Sequence, residues 1–192
     1  MIVKSGTQLD EHVNILGQPI GGWPTKNIIA CVENDTGNST FAHTLLSSIA
    51  EIYPHDFVWI DTCVAHPICA PTITLPPPVN SDRFIEKVIK PLLHVSKIIA
   101  ITDLRGFVST RKNNWQWLSK LKDEVVAEDA LCFIFTGVTY NAKRKQNEAI
   151  ARKALLAFAS IVLHEEEDGK VKCSTSSMGS TFPAINLKPE NT

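Results

Sequence analysis

The chain has 192 residues, of which 44% are hydrophobic and 20% charged, an ordinary balance for a globular protein with one sizeable core. With 19 basic and 20 acidic residues the formal charge is -1, so bulk attraction to nucleic acid is excluded and any basic surface has to be local. No apolar run approaches the roughly 20 residues needed to cross a bilayer.

The opening Met1-Ile-Val-Lys-Ser-Gly lacks the apolar stretch of a secretory signal. Five cysteines, an odd number, occur in a chain large enough to do without disulfides. The expected compartment is therefore the cytoplasm, with Cys31 and Cys132 as small buried hydrophobes.

Residues 1–26 are polar and turn-rich, and read as an irregular arm with a short strand near Val13–Leu16. Asn27-Ile-Ile-Ala-Cys-Val32 is a near-continuous apolar run, the mark of a strand buried on both faces. After a turn at 33–38, Phe41, Leu45, Leu46, Ile49, Ala50 and Tyr53 recur at three- and four-residue spacing. That spacing predicts a helix over 39–53, stopped by Pro54. Phe57-Val-Trp-Ile60 is the next buried strand and ends at Asp61.

Five prolines between 62 and 80 predict irregular chain there. Asp82 is expected to cap a helix over 83–95 that Pro91 kinks or shortens. Further strands are expected at 97–102 and 130–135, and helices at 113–128 and 142–159. Residues 161–164 and 171–173 are expected to pair around Glu167-Asp168-Gly169, with a tail over 176–192.

Strands alternating with helices predict an α/β, three-layer sandwich with a mostly parallel sheet of about five strands, occupying 27–175 as one domain. Ligands of such sheets bind at the carboxyl ends of the strands, which directs attention to 33–40, 61–70, 102–112 and 136–145.

The first of these loops is Glu33-Asn-Asp-Thr-Gly37-Asn38-Ser39-Thr40. A strand entering a glycine turn and then a helix aims backbone N–H groups and the helix dipole at one point, which favours an anion. A phosphate loop adds a lysine for the β and γ charges and a Ser/Thr hydroxyl for Mg²⁺. Here Gly37, Ser39 and Thr40 are in place, but Asn38 stands at the lysine position and Glu33 and Asp35 add negative charge. The plain alternative is a turn followed by a helix cap.

From Lys26 to Leu46 the chain resembles the opening of ParA/MinD-type deviant Walker ATPases, whose loop reads Lys-Gly-Gly-x-Gly-Lys-Ser/Thr-Thr. Glu33 stands at the signature lysine, Asn34 and Asp35 replace glycines, Gly37 matches, Asn38 replaces the second lysine, and Ser39 and Thr40 match. Val58-Trp-Ile-Asp61 is similar to the family's next strand, whose aspartate lies near Mg²⁺ and the attacking water. Residues 97–103 and 133–139 are similar to its later strands.

The resemblance implies a P-loop NTPase-like fold and a role like that of small plasmid-maintenance, conjugation or positioning proteins. Gly37, Asn38, Ser39 and Thr40 would then be the nucleotide-binding positions and Asp61 the catalytic one. With both lysines gone, ATP and Mg²⁺ are disfavoured as cofactors and hydrolysis is expected to be weak or absent. A protein partner is implied, with DNA and a second copy of the chain as further candidates.

Three other segments bear chemistry. Cys63, His66 and Cys69 follow Asp61, three residues apart from one another, a pattern open to a small α/β enzyme with a Cys63/His66/Asp61 nucleophilic or zinc site, or to incidental loop residues. Asp103 to Trp117 carries Arg105, Arg111 and Lys112 followed by Trp115 and Trp117. Trp117 falls on the apolar helix face, whereas Trp115 is an interface candidate. Lys143, Arg144 and Lys145 open the last expected helix, joined by Arg152 and Lys153, as either a contact for phosphates or an acidic partner or a solvated face.

Overall fold

A computed structural model describes residues 1–34, 40–62, 70–108, 115–142, 146–178 and 182–187. Its centre is an eight-stranded sheet. In chain order the strands are β1 (Asn27–Val32), β2 (Phe57–Asp61), β3 (Thr72–Thr74), β4 (Ile98–Thr102), β5 (Leu131–Thr136), β6 (Ile161–Glu165), β7 (Lys170–Ser176) and β8 (Phe182–Asn186). Across the sheet they run β8-β7-β6-β1-β5-β4-β2-β3. The pairs from β6 through β3 are parallel, while β7 and β8 are added antiparallel at one edge.

The apolar runs explain the layers. Alternate residues of one strand point to opposite faces, so Ile29 and Cys31 of β1 join one core and Ile28, Ala30 and Val32 the other. The first core is closed by helix α1 (Phe41–Ile52) and by Val3, Leu9, Val13 and Trp23 of the arm. The second lies under α2 (residues 81–93), α3 (Trp117–Ala127) and α4 (Arg152–Phe158). The three-layer α/β arrangement with a mostly parallel sheet is thus present, with more strands than the apolar runs alone indicate.

The arm is more regular than its composition suggests. Asn14–Ile15 and Gln18–Pro19 form a small hairpin, and Ile2–Val3 pairs with Trp23–Pro24. Its buried anchor is Asp10, whose carboxylate accepts from the Ser5 amide, the Ser5 hydroxyl and the Gly6 amide at 2.7–3.0 Å.

Two expectations need correction. The stretch 62–80 is not wholly irregular, because Thr72–Thr74 pairs with β2 as an edge strand. The α2 helix begins at Ser81, so Asp82 lies inside its first turn and not at its cap. Pro91 distorts and shortens the helix as expected: a π turn over Ile85–Ile89 precedes the proline, the Lys90 amide reaches back to the Ile85 carbonyl, and the helix ends at Leu93. A wider turn absorbs the missing donor and the bulk of the proline ring.

The largest correction concerns 142–159. Val138–Asn141 and Gln146–Ala149 pair antiparallel, and among the described residues of the stretch only Arg152–Phe158 is helical. Val138, Thr139 and Tyr140 are strand-forming types. The Ile150 amide also closes onto the Gly137 carbonyl, and Ala151 sits at φ 58°, left-handed backbone that breaks any helix run through it.

Candidate functional site at the carboxyl edge

Strands β2 to β5 fill one side of β1, and β6 to β8 fill the other. In open α/β sheets the ligand crevice lies outside the carboxyl ends of the strands, where the order reverses in this way. At that point a cleft of about 470 Å³ opens between Val32, Asn34 and Val138 on one side and the run from His164 to Asp168 on the other.

The entrance to the first loop is held by carboxylates. Glu33 Oε1 accepts from the Ala42 amide in the first turn of α1 at 3.3 Å. The Thr40 side chain, at the N-cap position, makes no capping bond. Glu33 therefore supplies the negative charge that the positive end of a helix favours. Its backbone is fixed as well, because the Glu33 amide donates to the Thr136 carbonyl of β5 at 2.9 Å. Next to it, the Asn34 amide donates to Glu165 Oε2 at 2.9 Å, which ties the loop to the end of β6.

The far wall is rich in charge but balanced. Lys172 of β7 pairs with Glu166, and Lys170 with Asp168 at 2.6 Å. His164 stands in register with Lys172 and with Val32. Burial, then Lys172 and Arg152, hold its imidazole below the ordinary histidine range, against a smaller opposing pull from Glu166. Among the described residues no group of three or more His, Cys, Asp or Glu side chains is placed to hold a metal ion.

A second polar cluster lies at the ends of β2 and β4. Asp61, Thr62, Thr102 and Asp103 are all buried there. Thr62 Oγ1 donates to the Asp103 carbonyl and accepts from the Asp103 amide, both at 2.7 Å. Asp103 in turn holds Arg105 through its amide at 2.9 Å and its Nε at 2.5 Å. Trp59 Nε1 donates to Thr102 Oγ1 at 2.8 Å from below. Gly106 completes the cluster, since a Cβ there would come within 2.6 Å of Thr62 Oγ1.

The structure separates residues that the sequence reading grouped. Asp61 ends β2, three strands away from β1, which is roughly 14 Å at the usual spacing of about 4.8 Å. The strands beside β1 are β5 and β6, so Thr136, His164 and Glu165 flank the loop in its place. Nothing in the local sequence of 161–165 marks it as a loop partner, because the contact spans a separation of 131 residues.

Of the other candidates, Thr40 precedes α1 and is exposed. Arg105 is half-exposed and paired with Asp103. Trp115 is partly buried against the second core, and Trp117 is buried in an aromatic group with Phe84 and Phe107. Gly37, Asn38, Ser39, Cys63, His66, Cys69, Arg111, Lys143, Arg144 and Lys145 lie outside the described residues. The helix start at which the basic trio was expected is instead at Arg152. Cys31 and Cys132 are buried as expected, and burial raises both thiols far above their usual range, which makes them inert packing groups.

At the Asn34 and Ala42 amides a phosphate would meet carboxylates already in place. The helix end that would receive a phosphate already carries the Glu33 carboxylate, and the neighbouring amide already carries Glu165. A triphosphate would have to displace one and approach the other, at like charge. No protein-family model matches the chain, and no curated protein matches it.

Proposed function

We propose that the chain is a degenerate, ParA/MinD-like P-loop protein that acts through macromolecular contacts, in plasmid maintenance, conjugative transfer or positioning, and hydrolyses ATP weakly or not at all. The observation that carries the nucleotide-free part is the Glu33 carboxylate on the first-turn Ala42 amide of α1. A side chain there takes the place of a bound phosphate at the first turn of α1. The replacement of both loop lysines by Glu33 and Asn38 points the same way. A protein partner is the primary contact in this reading, with DNA as a further one through Lys143, Arg144 and Lys145.

Calorimetric titration with ATP and ADP in the presence of Mg²⁺ tests the nucleotide part. The natural chain is expected to show weak binding or none at millimolar nucleotide, and Asn38→Lys alone to gain little. Glu33→Gln combined with Asn38→Lys is expected to gain at least tenfold, about 1.4 kcal/mol. Micromolar binding or efficient turnover of ATP by the natural chain overturns the proposal; a double variant still blind to nucleotide overturns the phosphate-loop ancestry. For the DNA contact, salt-dependent retention of a duplex should vanish when Lys143, Arg144 and Lys145 are changed to alanine.

A further inference from the structure

We draw no further inference here: the strongest candidate, the acidic cleft between the carboxyl ends of β1 and β6, is a cluster of carboxylates of which Glu165, Glu166 and Asp168 already have partners within the chain, and no second feature among the described residues points to a ligand.

Discussion

The carboxyl end of β1 and the carboxyl ends of β2 and β4 both collect acids, and they hold them differently. At β1, Glu33 and Glu165 each accept from a backbone amide, at 3.3 and 2.9 Å, beside an open cleft. At β4, Asp103 is buried, paired with Arg105, and locked through its backbone by two 2.7 Å bonds to Thr62. The first arrangement holds its carboxylates on backbone amides at a rim. The second is over-determined, so removing one member strands the others. Architecture is therefore expected to depend on the second edge, and loop behaviour on the first.

The sharpest way to break this contrast is at Gly106. An added Cβ meets Thr62 Oγ1 at 2.6 Å and Thr62 Cβ at 2.8 Å, with backbone close behind. Gly106→Ala should cost about 3 kcal/mol, read as a fall of roughly 6 to 12 °C in Tm for a chain of this size. In a Thr62→Gly background the same substitution should cost clearly less, since both the Oγ1 and the Cβ that it meets are gone. Equal costs in both backgrounds would show that Gly106 is not held by Thr62.

Next in size is Thr62→Val, which keeps the volume and removes the hydroxyl. The Asp103 amide then loses its acceptor in a buried place, at about 2 kcal/mol. Urea unfolding monitored by tryptophan fluorescence measures it, and a loss below about 0.5 kcal/mol would remove the claim that this edge is over-determined.

A smaller effect sits at the rim and depends on pH. The His164 pKa is depressed in the fold by burial, Lys172 and Arg152. Above the ordinary histidine value neither state is protonated and the residue adds nothing. As pH falls below about 6.5, the unfolded chain takes up the proton first, so stability drops until the lower folded pKa is passed. His164→Gln should flatten the stability curve in that window, tested by denaturation between pH 7 and pH 5. An unchanged slope would mean that the imidazole is not held away from its proton.

The smallest effect is expected at Glu33→Gln, which keeps an acceptor for Ala42 and removes the charge at the helix end. The cost should be about 0.5 kcal/mol at low salt and less at high salt. A loss above 2 kcal/mol would place Glu33 with the over-determined group and dissolve the contrast between the two edges.

Sequence and fold agree where the signal is local. The runs at 27–32, 57–61, 98–102 and 131–136 are buried on both faces, and their continuous apolarity says so without any structure. The three- and four-residue spacing of α1 and α3 names the faces they bury. Agreement fails where pairing at a distance competes with local preference. Residues 142–149 carry enough helix formers to read as a helix, yet Gln146–Ala149 is captured by Val138–Asn141. The edge strand Thr72–Thr74 is too short and too proline-flanked to announce itself, and it forms because β2 offers an open ladder.

What the amino-acid sequence determined by itself is the α/β class, the buried strands at 27–32 and 57–61, and the amphipathic helix between them. These follow from periodicity and residue type, which act between near neighbours. Only the tertiary structure decided that β5 and β6 flank β1, that Asp61 stands three strands away from the first loop, and that Glu33 and Glu165 hold that loop's entrance. The physical reason is that parallel strands are joined through crossovers, so the partners of a loop are set by the order in which the sheet closes rather than by the residues beside it in the chain.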